Sequence, residues 1–265
     1  MKVTLITGAS GGIGKAIAFE FAAKGHHLLL VARNKEKLST ICSELHVKFK
    51  IEAHYITADL CDKNSPQFIY EESKRRGLSI NILVNNAGKG SSGEFYKNIL
   101  DSELEIIQLN NASLVALSHY FVKDMIAKKS GYIINIASMI AFIPSPYMAV
   151  YAGSKHFLKT FTYSFAEECK PYNVKVMLFS PGLTTSNFMN TKENNNDWGK
   201  TLTANSNTQT PEEVANELMI AFGKEKVFHV SGSKNRFFVK MTGLMSQRFI
   251  AKTFGKQKRN QMGLK

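Results

Sequence analysis

The chain has 265 residues, 44% of them hydrophobic, and a net charge of +13. That length and apolar content allow one large core and exclude disorder over most of the chain. The three cysteines, Cys42, Cys61 and Cys169, are scattered, with no C-x-x-C pair and no metal-ligand spacing to a histidine, so reduced thiols in a cytoplasmic protein are expected and no metal site is.

No apolar run reaches transmembrane length, and no signal-peptide hydrophobic region precedes Val3-Thr4-Leu5-Ile6, which points to the cytoplasm rather than to export. Val3–Ile6 itself reads as a strand buried on both faces, because it is a short continuous apolar run. Thr7-Gly8-Ala9-Ser10-Gly11-Gly12-Ile13-Gly14 follows, and then a helix with Ile13, Ile17 and Phe21 on one side and Gly25 as its stop. Strand, glycine turn and helix make half of a nucleotide-binding unit, whose free N–H groups receive a pyrophosphate. The spacing Gly8, Gly12, Gly14 is neither G-x-G-x-x-G nor a P-loop.

His27–Ala32 is the second strand. The position just beyond it faces the adenosine ribose, where an acid would bind a 2′-hydroxyl and a cation a 2′-phosphate. Arg33 stands there, and Lys35, Glu36 and Lys37 open the next helix, so the reading is NADP(H) rather than NAD(H). Ala53–Thr57 is a third strand closed by Ala58-Asp59-Leu60, with Asp59 placed to meet an adenine edge. A helix around Gln67–Arg76 leads to a fourth strand at Ile80–Val84, which ends in Asn85-Asn86-Ala87-Gly88. Small and amide residues there let the backbone approach a ligand closely.

From Ser102 to Lys128 helical periodicity runs through Leu104, Ile107, Leu109, Leu114 and Leu117, interrupted by Asn110-Asn111. Two amides in an apolar helix need partners, so at least one should turn toward water or a functional site. His119 in the same helix reads as a structural histidine. Tyr132–Ala137 is a fifth strand ending at Ser138, Lys175–Phe179 a sixth followed by Ser180-Pro181-Gly182, and Val227–Val230 a seventh. Between them Thr185–Gln209 is polar and aperiodic, with Phe188, Met189 and Trp198 as apolar islands, the profile of a loop over a site. Thr210-Pro211-Glu212-Glu213 then carries a capping-box signature. Strands alternating with helices predict a doubly wound parallel α/β sheet of about seven strands in one domain.

Tyr151-Ala152-Gly153-Ser154-Lys155 predicts the chemistry. Residues four apart on a helix stack above one another, so Tyr151 and Lys155 share one small site. A fixed cation favours the phenolate, and lowering a phenol by roughly three units takes about 4 kcal/mol of differential stabilisation.

These residues together resemble the short-chain dehydrogenase/reductase family in its shorter form. Thr7-Gly8-x-x-x-Gly12-x-Gly14, Asn85-Asn86-Ala87-Gly88, Asn110, Ser138, Tyr151-x-x-x-Lys155 and Pro181-Gly182 stand in the family's order from residue 1 to about 230. The resemblance implies that Tyr151 donates a proton to a carbonyl, that Ser138 hydrogen-bonds the same oxygen, that Lys155 holds the nicotinamide ribose, and that Asn110 keeps a relay water. It also implies cofactor contacts at Gly8, Ser10, Gly12, Ile13, Gly14, Arg33, Asp59, Leu60, Asn85, Ala87, Gly88, Tyr151, Lys155, Pro181 and Gly182. Ser10 is followed by Gly11 where many NADP-preferring members have a second basic residue, which leaves that preference to Arg33. Ser186 replaces the threonine that members often have after Pro-Gly. The competing class is a nucleotide-sensing protein without turnover, and the full set Asn110, Ser138, Tyr151 and Lys155 argues against it. Met139–Met148 and the loop's apolar islands favour an apolar ketone, aldehyde, steroid-like or acyl substrate. A homodimer or homotetramer is the expected assembly.

Residues 1–233 are expected to form the dinucleotide-binding and catalytic unit, and 234–265 a basic amphipathic extension. Such an extension is also found in steroid and long-chain 3-oxoacyl reductases and their bacterial relatives. It carries nine Lys/Arg and no acid, which leaves only +4 for residues 1–233. It lacks a recognisable nucleic-acid motif. Phe238, Met241, Met245 and Phe249 fall on one helical face, with Gly243 and Gly255 as weak points. That face could dock on its own domain, a second subunit, the substrate mouth or an anionic membrane.

Overall fold

The structure is a computed structural model that describes residues 1–185 and 208–263. Phe188, Met189, Trp198 and Ser186 lie outside the described residues. Seven parallel strands form one sheet in the order β3-β2-β1-β4-β5-β6-β7. They are β1 Lys2–Thr7, β2 His27–Ala32, β3 Ala53–Thr57, β4 Ser79–Asn85, β5 Gly131–Ile136, β6 Val174–Ser180 and β7 Phe228–Val230. The chain moves outward from β1 to β3 and then returns to pair β4 with β1, so the direction of winding reverses between these two strands. Loops leaving the carboxyl ends of β1 and β4 therefore diverge, and the crevice between them is where a doubly wound sheet accepts ligands.

Both faces of the sheet are covered. In β2, Leu28 and Leu30 pack into one core with Ile17, Phe21, Leu38 and Leu218. Leu29 and Val31 point the other way, into a core with Ile69, Leu117, Phe121 and Met125. Period-two alternation thus feeds two apolar layers, which is why β2 reads as an unbroken hydrophobic run. The first layer is covered by α1 Gly12–Ala23, α2 Lys35–Phe49 and α7 Pro211–Gly223. The second is covered by α3 Ser65–Arg75, α5 Ser113–Ala127 and α6 Ala149–Cys169. The capping box is present: Thr210 Oγ1 accepts from Glu213 N at 3.1 Å, and Glu213 accepts from Thr210 N at 2.8 Å.

The apolar helix interrupted by two asparagines is one continuous helical run with a change of pitch. It consists of α4 Leu100–Ile107, a π turn over Gln108–Ala112, and α5. Neither Asn110 nor Asn111 turns to water. Asn110 Nδ2 donates to Ser154 Oγ at 2.9 Å and Asn111 Nδ2 to Ser154 O at 2.9 Å, so both amides are consumed in holding α6. His119 is exposed, its ring edge-on to Tyr120 and outside the lining of the cavity.

The basic extension folds as α8 Ser233–Thr242 and α9 Gln247–Gln261. Gly243 separates them as anticipated, but Gly255 is buried inside α9, where its backbone lies beside Pro146. The expected single apolar face does not form, because the break at Gly243 splits it. Phe238 and Phe254 stack on each other, while Met241, Met245 and Phe249 stay exposed. Among the described residues no helix is long and apolar enough to cross a membrane.

Phe21 is fully buried and meets the rings of His26 and Phe222 edge-on. Phe21→Ala should lower stability by about 3–5 kcal/mol, because transfer free energy and packing are lost together. Urea unfolding would measure this as a lower midpoint at unchanged slope.

Candidate active site

The crevice between β1 and β4 is clamped shut at its base. Thr7 Oγ1 accepts hydrogen bonds from Asn86 N and Ala87 N, both at 3.0 Å, and Asn86 Nδ2 donates to Thr7 O at 2.8 Å. The glycines are what allow this approach. A Cβ on Gly14 would lie 2.4 Å from Gly8 O, and Gly8 itself has a φ of +66°. The first turn of α1 contains no acid, so its N–H groups and positive dipole end face an anion-sized space without competition.

A second crossing of polar side chains lies below the site. Asn85 Nδ2 donates to Ser118 Oγ at 3.1 Å and Asn135 Oδ1 at 2.9 Å, and Asn135 Nδ2 donates to Thr162 Oγ1 at 3.0 Å. This chain ties β4 and β5 to α5 and α6, all within the interior. The Asn85 side chain is therefore a structural tie within the interior, and the amide lining the cavity is its neighbour Asn86.

β5 ends at Ile136, and the next two residues lead out between β4 and β6. Ala137 N donates to Phe179 O at 2.8 Å and Met139 N to Pro181 O at 2.8 Å, which fixes Ser138 at the carboxyl edge. Tyr151 lies in the first turn of α6 and is hydrogen-bonded to Ser138. Lys155, one turn on, has its ammonium 5.8 Å from the Tyr151 ring centre and donates to Ile136 O at 3.1 Å. Tyr151 is 6% exposed and Lys155 4%. Asn110 also faces this corner: Lys89 N donates to its Oδ1 at 3.0 Å, and its Nδ2 donates to Lys89 O at 2.9 Å.

Burial governs both titratable groups. It pushes the Tyr151 phenol up to about 12, against the lowering effect of the Ser138 hydrogen bond, and pulls the Lys155 ammonium down to about 8. The lowered phenol anticipated from Tyr-x-x-x-Lys is thus not a property of the protein alone: desolvation outweighs the Ser138 hydrogen bond. At neutral pH the phenol holds its proton, the form a general acid needs.

These groups open into one cavity of about 920 Å³. Gly8, Ser10, Gly12, Ile13, Gly14, Ala87, Gly88, Ser138, Tyr151, Lys155, Pro181 and Gly182 all line it, as the motifs led one to expect. Arg33, Asp59, Leu60 and Asn110 do not. Leu60 is buried in the apolar core, and Asp59 accepts from Cys61 N at 3.0 Å while facing Arg33 at 3.8 Å. Two lining groups went unassigned in the motifs. Lys37 sits one helical turn beyond Arg33, and its charge was legible but its direction was not. The other is the α8–α9 wall of Phe238, Phe254 and Lys258: the basic extension lies on its own domain and lines the cavity, one of the placements open to it from the sequence.

A doubly wound sheet with a glycine cradle at its switch point and a serine, tyrosine and lysine at its carboxyl edge defines a nucleotide-binding oxidoreductase scaffold. Residues 2–197 match the family profile described as short chain dehydrogenase. A very-long-chain 3-oxoacyl-CoA reductase of Phaeosphaeria nodorum is 32% identical over 186 residues, 69% of this chain and 54% of that protein. An Anopheles gambiae dehydrogenase/reductase SDR family protein 7-like is 30% identical over 231 residues, 85% of this chain and 73% of that protein. The solved L-sorbose reductase of Gluconobacter frateurii, complexed with NADPH and L-sorbose, superposes with a TM-score of 0.76. It is 29% identical, and the superposition covers 87% of this chain and 95% of that one. The chain belongs to the short-chain dehydrogenase/reductase family of oxidoreductases. It spans about half the length of the first curated relatives it matches.

Gly14→Ala should weaken binding of a reduced nicotinamide dinucleotide by at least about tenfold, equivalent to about 1.4 kcal/mol, since the added methyl enters the Gly8 carbonyl. Quenching or enhancement of the dinucleotide's fluorescence on titration would measure it, with circular dichroism confirming that the fold is retained.

Proposed function

We propose that this protein interconverts a carbonyl and a hydroxyl on an apolar substrate, using NADP(H), with Tyr151 as general acid/base. The observation that carries the reading is the convergence of Ser138, Tyr151 and Lys155 on the same cavity as the glycine cradle. The cradle fits a dinucleotide because Gly8 and Gly14 bring backbone to the cavity wall at positions where a Cβ would run into neighbouring backbone. When bound, the nicotinamide supplies or accepts a hydride.

The remaining work falls to the chain's own side chains. Ser138 hydroxyl donates to the substrate oxygen and holds it against Tyr151. The phenol, kept protonated by burial, gives its proton to that oxygen as negative charge develops there. Lys155, buried with its ammonium 5.8 Å from the Tyr151 ring centre, then stabilises the phenolate near the positive end of α6. Asn110 has its amide committed to Lys89 and Ser154, so in this scheme it holds the π turn against α6 and thereby fixes Tyr151. Met139, Ile140, Ile143, Met148 and Phe254 give the substrate side an apolar lining, which supports a ketone, aldehyde or acyl compound over a sugar.

Tyr151→Phe should lower turnover of ketones and aldehydes with NADPH by about 10²–10⁴-fold, the usual worth of a positioned proton donor. NADPH affinity should be retained. A variant keeping more than about a tenth of the rate would remove Tyr151 from the acid role.

Selectivity for the 2′-phosphate is assigned to Arg33 together with Lys37. Arg33 is exposed at the end of β2, and Lys37 lines the cavity from the first turn of α2. A charge-assisted phosphate contact is worth about 1.5–3 kcal/mol, or about a ten- to hundredfold preference. Arg33→Ala and Lys37→Ala should each reduce the NADPH/NADH ratio of kcat/KM, and the double variant most. A ratio unmoved in all three would refute the assignment.

A further inference from the structure

The cavity's lining is electrically one-sided. Among the described residues it includes Lys37, Lys155, Lys234 and Lys258 and no carboxylate. Lys37 lies at the glycine-cradle end and Lys155 beside the phenol. Lys258 belongs to a different wall. In α9, Phe254, Gln257, Lys258 and Gln261 follow one another at the spacing of a single helical face, and all four line the cavity. That face is held over the substrate side: Gly255 packs on Pro146, within the segment joining Ser138 to Tyr151, and Phe254 stacks on Phe238 of α8. An apolar platform therefore passes, within one turn, into an ammonium flanked by two amides.

We propose that α9 reads an anionic end group on the substrate, with Phe238 and Phe254 covering the apolar body and Lys258 taking a carboxylate or phosphate. The ligand is an amphiphile whose anion lies away from the reacting carbonyl. Calling it the substrate rests on the carbonyl-reductase reading above. The anion contact itself is independent of turnover. Burial pulls the Lys258 ammonium down to about 8, and an anion placed beside it would restore the charged form by opposite-charge stabilisation.

Calorimetric titration of the full chain with decanoate, decyl phosphate and decanol, below their aggregation concentrations, tests the contact without any reaction. At least one anion should bind at least tenfold tighter than decanol. Tighter decanoate assigns a carboxylate, and tighter decyl phosphate a phosphate. Lys258→Gln should erase that advantage and leave decanol binding unchanged, while Lys258→Arg should keep it. Equal affinities for all three ligands, no binding of any, or an equal loss for decanol would overturn the proposal. So would a fall in NADPH affinity in Lys258→Gln, which would return the residue to the cofactor. Failure of every ketone to be reduced, with the anion preference intact, would count against the carbonyl-reductase reading alone.

Discussion

Two neighbouring strands must end with their backbones almost touching if a pyrophosphate is to reach a helix N-terminus, and the rest of this site follows from that closeness. Thr7 and Asn86 enforce it by exchanging side-chain and backbone hydrogen bonds across the β1–β4 boundary. Such bonds add modestly to stability, about 0.5–1.5 kcal/mol each. Their larger effect is geometric, because they leave no room for side chains at Gly8 and Gly14. The reversal of winding separates the outgoing loops, and the clamp keeps their roots together. A crevice wide at the mouth and narrow at the base is the result.

The same economy of space governs the reacting corner. An ammonium and a phenol are both removed from water, and each is driven by burial toward its neutral form. Three polar ties offset this: Ile136 O for the ammonium, Ser138 for the phenol, and Asn110 on Ser154 for the helix that carries both. The Asn85–Asn135–Thr162 chain adds a fourth beneath them. The site is thus held by side chains whose hydrogen bonds go to positioning, while the phenol and the serine face the cavity.

Legibility in the sequence followed the range of the forces involved. Strands β2 and β3 have the residue ranges read from the sequence, and the other five differ by one residue at one or both ends; burial on both faces gives β2 its unbroken hydrophobic signature, which the edge strand β3 lacks. The glycine spacing and Tyr151-x-x-x-Lys155 were readable because local geometry alone places those residues. What failed depended on direction or on distant contacts. Asn85 and Asn86 are adjacent in sequence, and only the phase of β4 decides which enters the core. Leu60 follows a polar motif yet packs inward. Gly255 has the composition of a helix break but serves as a flat spot beside Pro146. The Phe238–Phe254 pair is sixteen positions apart, and no local periodicity relates them.

The π turn at Gln108–Ala112 makes the long helix sensitive to counting. A wide turn accommodates one extra residue, which shifts everything before it by about 100° relative to everything after it, one residue's share of an α-helical turn. Asn110 and Asn111 both reach Ser154 because of that offset. Loss of any single residue between Gln108 and Ala112 would let the run relax to a regular α-helix, and α4 would rotate as a whole. Even a chemically bland deletion there would change the angle at which Asn110 meets α6, so this segment stores angular information that composition does not reveal. Substitutions can be tolerated in such a segment more readily than any change in its length.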